Sequence, residues 1–123
     1  MQIAINTICT LGINTRFVSI IGGPCTIGPG QVVDLPLKNT IRVYMDILEN
    51  NENTQFMKTA TTFYENLAKT IISNKCTLDM WAYGLDQFGL LEMREIINQS
   101  GGLMAMQEQF NHFIFQQSFE RFY

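Results

Sequence analysis

An apolar run that ends abruptly in a loop of glycines and prolines is the feature that most constrains this chain. Residues 17–21 read FVSII, and residues 22–30 follow them directly as GGPCTIGPG. A strand with so little polar alternation is typical of a parallel sheet, in which both faces are covered. We therefore predict a buried strand over residues 16–21 and a stiff loop over residues 22–30, at the carboxyl end of that strand.

The rest of the chain alternates between helical and extended patterns. Apolar residues recur at helical spacing in four segments: residues 1–11, 54–73, 89–98 and 108–123. Two further segments have the short apolar pattern of strands: residues 76–85 and 103–106. Alternation of helices and strands predicts an α/β fold with a mainly parallel sheet covered by helices.

The segment between the loop and the longest helix is less regular. Residues 32–33 and 41–44 are short extended candidates, and Pro36 excludes a long helix between them. Asn53 or Thr54 is the predicted N-terminal cap of the helix that follows, because both side chains can accept a backbone hydrogen bond.

The last predicted helix is unusually rich in phenylalanine. Its apolar residues form two stripes, one with Phe115, Phe119 and Phe122, the other with Phe110, Phe113 and Ile114. A helix that is apolar on most sides is buried on most sides, and one sheet can cover only one of them. Since the first helix also starts without a cap, we predict that residues 1–123 are a fragment of a single domain.

Composition excludes several classes of function. The net charge is -3, and the eight basic residues are scattered along the chain, so we expect no nucleic-acid binding. No apolar run reaches the roughly 18 residues of a membrane span. Three cysteines without paired spacing favour a reducing compartment.

The loop has part of a phosphate-binding pattern. Gly23 and Gly28 have the spacing of a P-loop, but Pro29 and Gly30 follow where that motif needs Lys and then Ser or Thr. The missing lysine and the missing proline N–H disfavour a nucleotide. A rigid structural turn, or a partner-binding loop at the carboxyl end of a strand, remains.

Other chemically capable side chains are isolated. Asp86 follows a predicted strand and could bind a metal, although a turn or helix-capping role is favoured. His112 is the lone histidine, and nothing in the sequence brings it to Cys25 as a thiol–imidazole pair. Trp81 and Tyr83 share strand parity, which indicates a core position. We predict no catalytic set.

Four strings carry a family resemblance. They are GGPCTIGPG at residues 22–30, YGLDQFGLLEM at 83–93, GGLMAM at 101–106 and FNHFIFQQSFERF at 110–122. Together they resemble the trunk domain of the Sec twenty-three and Sec twenty-four family of COPII vesicle-coat subunits. The first two favour the GTPase-activating subunit over the cargo adaptor. That trunk is similar to a von Willebrand A domain, so the resemblance implies the C-terminal part of such a domain.

The resemblance also implies partners and a location. A trunk of this family pairs with the cargo-adaptor coat subunit, docks the small GTPase Sar and works with outer-coat subunits, on the cytosolic face of the endoplasmic reticulum membrane and on COPII vesicles. The family's zinc finger, β-sandwich, helical and gelsolin-like domains are not within these residues. We therefore expect no catalytic residue, metal or cofactor here, although the full-length family member holds zinc. The predicted partner-binding residues are Pro24, Thr26, Gly28, Pro29 and Gly30.

A thermal-shift titration tests the rival hypothesis of a nucleotide- or metal-binding α/β domain. GTP, ATP and Mg²⁺ should each leave the melting temperature unchanged, because the loop lacks the lysine that holds terminal phosphates and the sequence offers Asp86 no further oxygen ligands for a metal. A melting temperature that rises with ligand concentration would instead favour the rival, since a ligand that binds only the folded state stabilises it.

Overall fold

A computed structural model describes residues 1–12, 14–35, 37, 41–49, 52–84, 87–109 and 111–123, with Cys9 and Asn53 described by their backbone alone. Within these residues the helices and strands follow one another as α1 (Gln2–Thr10), β1 (Arg16–Ile21), α2 (Tyr44–Glu49), α3 (Met57–Ser73), β2 (Thr77–Tyr83), α4 (Leu90–Ser100), β3 (Met104–Gln107) and α5 (Phe113–Phe122). No helix in the described part of the chain is both long and apolar enough to cross a membrane.

The three strands form one parallel sheet in the order β1-β2-β3. The pairing of β1 with β2 begins at Arg16 and Thr77, and the pairing of β2 with β3 begins at Met80 and Met104. Because parallel neighbours need a crossover connection, α3 lies between β1 and β2 in the chain and α4 between β2 and β3. The predicted α/β fold with a parallel sheet is confirmed.

Strand β2 is covered on both faces. Leu78 and Met80 belong to a core cluster that includes buried residues of α3 and α4. Trp81 and Tyr83 face the other way and pack against Phe115 of α5, with ring centroids 5.0 and 4.7 Å from it. The prediction that both aromatic residues are core residues is confirmed.

Strand β1 is covered on one face only. Phe17 and Ile21 pack against the main core, whereas Val18 is 42% exposed and Ile20 58% exposed. The prediction that both faces of this strand are buried is therefore wrong. The physical reason is the position of α5, which packs over β2 and β3 and leaves the outer face of β1 open. Ala105 of β3 packs against the cluster of Trp81, Tyr83 and Phe115.

The segment before α3 differs from its predicted form. The extended candidate at residues 41–44 leads instead into helix α2, and residues 32–33 are not part of a strand. Helix α3 starts after Phe56 without a side-chain cap, so the predicted cap at Asn53 or Thr54 is wrong. Both residues lie in a short 3-10 helix, Glu52–Thr54, and Pro36 lies outside the described residues.

Helix α5 is shorter than predicted and is covered on one side. Its rings Phe119 and Phe122 lie edge-on to Trp81, with centroids 5.4 and 6.4 Å away, beside the Phe115 contact. Phe113 is 62% exposed on the other side. The expectation that the sheet covers only one of the two apolar stripes is confirmed for these residues. Phe110 lies outside the described residues.

A buried carboxylate joins the sheet to the end of α5. Asp79 has no solvent exposure and accepts hydrogen bonds from Arg16 Nε at 2.5 Å, Arg16 Nη2 at 3.0 Å and the Leu103 backbone N–H at 2.8 Å. The Tyr123 hydroxyl also donates to it. Burial opposes ionisation of Asp79, but the hydrogen bonds from Arg16, Tyr123 and Leu103 outweigh it and hold its pKa below the usual range.

The low pKa of Asp79 predicts a specific dependence of stability on pH. A lowered folded-state pKa contributes stability that is complete above the usual Asp pKa of about 3.9 and is lost as pH falls through the folded-state value. Asp79→Asn should lower the free energy of unfolding at pH 7 by about 2 kcal/mol, because hydrogen bonds to a charged acceptor are lost. Urea unfolding at pH 7 and pH 3 measures both effects.

The variant should lose less stability than the parent between those two pH values. Glu120→Gln, at an exposed carboxylate of α5, is the matched control and should keep the parent's pH dependence. Identical acid sensitivity in the parent and Asp79→Asn would contradict a charged, hydrogen-bonded Asp79.

Candidate functional site

The loop over residues 22–30 leaves the carboxyl end of β1 and folds back on itself. The Cys25 carbonyl accepts backbone hydrogen bonds from Val32 at 2.9 Å and from Val33 at 3.5 Å. The Gln31 N–H donates to the Gly28 carbonyl at 3.1 Å, which closes a tight turn around residues 29–30. The predicted loop is confirmed, and these bonds join Cys25 and Gly28 to the residues that directly follow the loop.

Helix α3 and Gly89, the residue before α4, support the base of the loop, which we define as residues 30–33. Val32 is buried and packs against Gly89, where a Cβ atom would lie only 2.6 Å from the Val32 Cγ1 atom. The Tyr64 hydroxyl of α3 donates to the Gly30 carbonyl at 3.2 Å. A Cβ atom on Gly30 would lie 2.7 Å from that hydroxyl oxygen and 3.0 Å from Phe63 ring atoms. The base of the loop is therefore part of the packed core.

Burial keeps the Tyr64 hydroxyl protonated. Burial raises the pKa of Tyr64 well above its usual value, and the neighbouring Cys25 and Glu92 raise it further. A phenol with a raised pKa remains a hydrogen-bond donor at neutral pH. Tyr64 therefore donates to the Gly30 carbonyl as a neutral phenol.

A buried ion pair lies at the same end of α4. Arg42 Nη2 is 2.5 Å from Glu92 Oε2, and the two side chains are 8% and 1% exposed. Two buried charges of opposite sign depend on each other, since neither has water to solvate it. The pair fixes the backbone just before α2 to the first turn of α4. The sequence did not point to this contact, because fifty residues separate its partners.

The structure separates the predicted partner-binding residues into three groups. Gly28 and Pro29 are exposed, Pro24 and Thr26 are half-buried, and Gly30 is buried. Their contact with a partner stays a prediction, and Gly30 is placed to support the loop from inside.

The exposed part of the loop also includes a residue that the sequence analysis missed. Ile27 is 75% exposed and lies next to Gly28 and Pro29, and we call residues 27–29 the loop tip. Gly28 has φ +88°, a conformation that favours glycine, and the pyrrolidine ring restricts Pro29. The sequence signal that could have identified Ile27 as exposed is its place as a large apolar residue among small and rigid ones.

The other candidate side chains are placed as follows. The Cys25 thiol donates to the Ile27 carbonyl at 3.4 Å. His112 is exposed at the residue before α5, where it stacks on Phe113 and lines an open hollow with Glu108. Asp86 lies outside the described residues. Among the residues that the structure does describe, no three His, Cys, Asp or Glu side chains are grouped as metal ligands.

Comparison with known proteins identifies the family. The family model described as the Sec23/Sec24 trunk domain matches residues 1–123. This chain belongs to that trunk family. It is also 35% identical over 115 residues to protein transport protein SEC23 F of Arabidopsis thaliana, a match that covers 94% of this chain and 15% of that relative. The trunk resemblance of the four sequence strings is confirmed.

The contact between Gly30 and α3 predicts the effect of a single added methyl group. Gly30→Ala should lower the free energy of unfolding by about 1–3 kcal/mol, because the Cβ atom would overlap the Tyr64 hydroxyl. Gly23→Ala, where a Cβ atom meets nothing within 4 Å, is the control and should stay within about 0.5 kcal/mol of the parent. Denaturant unfolding checks both, and equal effects would contradict the described packing at Gly30.

Proposed function

We propose that this chain is a protein–protein docking module of the COPII vesicle coat and acts in transport from the endoplasmic reticulum to the Golgi. The single observation that carries the proposal is the trunk-family match over residues 1–123. The name of the SEC23 F relative, a protein transport protein, supports it. The chain corresponds to only 15% of that relative, so the activity proposed for the whole protein extends well beyond these residues.

Within such a coat, the module pairs with the cargo-adaptor subunit. It also contributes to the surface that docks the GTP-bound small GTPase Sar, and outer-coat subunits assemble beside that surface. The full-length protein then stimulates GTP hydrolysis through an arginine that enters the nucleotide site and stabilises charge in the transition state. We assign that arginine to a domain outside these 123 residues, so this chain positions partners and does not itself stimulate hydrolysis. We likewise assign the zinc of the full-length protein to another domain.

The loop tip is the part of the chain that suits such docking best. It lies at the carboxyl end of a parallel strand, where α/β sheets place many binding surfaces. The backbone bonds to Cys25 and the support from Tyr64 hold it in one shape before any partner arrives. A preorganised loop loses little conformational entropy on binding. The exposed Ile27 side chain can then be buried in a partner's pocket.

A binding experiment tests this proposal. The immobilised 123-residue chain should bind the purified cargo-adaptor subunit, and GTP-loaded Sar should add to the complex in a second injection. Ile27→Asp and Pro29→Ala should each weaken binding about tenfold, because an apolar contact or the preset shape of the tip is lost. Biolayer interferometry measures the affinities, and thermal melting confirms that each variant is folded.

Gln99→Ala, at an exposed position near the far end of α4, is the control and should keep the parent's affinity. Failure of the chain to bind either partner would overturn the docking role. Binding that the two tip variants leave unchanged would keep the coat role and exclude the loop tip as the contact.

A further inference from the structure

Helix α2 carries its apolar side chains on its outer side. Tyr44, Met45 and Leu48 are 72%, 56% and 61% exposed, whereas Asp46 is only 8% exposed. A helix on the surface of a globular protein normally shows the opposite arrangement, with its apolar residues toward the core. Several exposed, large apolar side chains on one element are a feature of interaction surfaces.

The apolar residues of α2 form one continuous face. Successive residues of a helix are separated by about 100° around its axis, which places Ile47, Tyr44, Leu48 and Met45 side by side over an arc of about 160°, with Asp46 on the opposite side. We call these four residues the α2 face. Ile47 also lines a groove of about 350 Å³, whose other walls are residues of α3 and the turn before it: Thr54, Met57, Lys58, Thr61, Thr62 and Glu65. The α2 face and the groove are thus adjoining parts of one surface.

Two contacts hold the α2 face outward. Asp46 Oδ2 accepts a hydrogen bond from the Val43 backbone N–H at 2.7 Å, as in one half of a capping box. Arg42, which precedes Val43, is bound to the buried carboxylate of Glu92. A helix of six residues would not persist without such contacts. These two contacts therefore hold α2 with its apolar face outward.

The charges around the α2 face indicate the chemistry of its partner. Residues 43–57 contain three acidic residues and no lysine or arginine. Asp46 is buried, while Glu49 and Glu52 are exposed at and just after the end of α2. In the groove, Lys58 and Glu65 offset each other. The surface is apolar at its centre and acidic at its rim, which complements a partner with an apolar face flanked by basic residues.

We propose that the α2 face and its groove dock a basic amphipathic helix of another protein. Its apolar residues would cover Tyr44, Met45 and Leu48, and its lysines or arginines would lie beside Glu49 and Glu52. Exposed Tyr and Met side chains suit this role, since Tyr is frequent at binding hot spots and Met adapts to varied apolar surfaces. This surface uses none of the loop-tip residues and does not depend on the coat assignment.

A pair of synthetic peptides tests the proposal on the 123-residue chain. One is a fluorescent 14-residue amphipathic helix of leucine and lysine, and the other has glutamate at every lysine position. Fluorescence anisotropy should show that the lysine peptide binds at least about tenfold more tightly. Replacing Tyr44 and Leu48 together by Ser should weaken its binding about tenfold, because the central apolar contact is lost.

Matched variants separate this surface from general attraction to an acidic protein. Glu49→Lys with Glu52→Lys should weaken binding of the lysine peptide, whereas Glu120→Lys on α5 should leave it nearly unchanged. Ile3→Ser, at an apolar residue of α1 that is 84% exposed, should also have no effect. All the substituted residues are exposed, so thermal melting should show folded variants.

Four results would overturn the proposal. Equal affinity for both peptides would remove the role of charge. An affinity that survives the Tyr44 and Leu48 changes, or that falls equally with Glu120→Lys, would place the peptide elsewhere. Light scattering that shows a dimer, dissociated by the same Tyr44 and Leu48 changes, would assign the α2 face to a second copy of this chain.

Discussion

A carboxylate without solvent contact, Asp79, sets the geometry on which much of this fold depends. A buried charge is tolerated only when it is fully hydrogen-bonded, and its donors come from β1, from the residue before β3 and from the end of α5. The strands and the helix must meet at one point to satisfy it. Trp81, two residues further along β2, then packs against the α5 rings that this arrangement places above it.

At the other end of the sheet, one turn of α4 supports both proposed docking surfaces. Val32 packs against Gly89 and thereby holds the base of the loop, while Glu92 binds Arg42 and holds the backbone that enters α2. The loop tip and the α2 face are small, irregular or short elements with little stability of their own. Their shapes come from the packed helices beneath them, which is how a rigid scaffold presents a contact surface.

The strongly periodic elements could be predicted, and so could the short strand β3, whereas the short helix α2 could not. The apolar patterns of helix α3 and of strands β1 and β2 are long enough to distinguish a helix from a strand. In the helix apolar residues recur every 3.6 positions, whereas each strand has a nearly continuous apolar run. Helix α2 spans six residues, fewer than two turns, so its first residue, Tyr44, looked like the end of the extended segment predicted at residues 41–44. The expected cap of α3 failed because the chain forms a 3-10 helix at Glu52–Thr54. At the candidate site, Pro29 and Gly28 followed from local chemistry, whereas Ile27 needed a measure of exposure.

The sequence by itself determined the α/β class, the parallel sheet, the loop after β1 and the family, since all of these depend on local patterns and on recognisable strings of residues. Only the tertiary structure decided which faces are covered and which charges are paired. The open face of β1 depends on where α5 lies, and the contacts of Asp79 with Arg16 and of Glu92 with Arg42 join residues more than forty positions apart. Ion pairing and the choice of which neighbour covers which face are properties of packing between distant segments, and no local pattern specifies them.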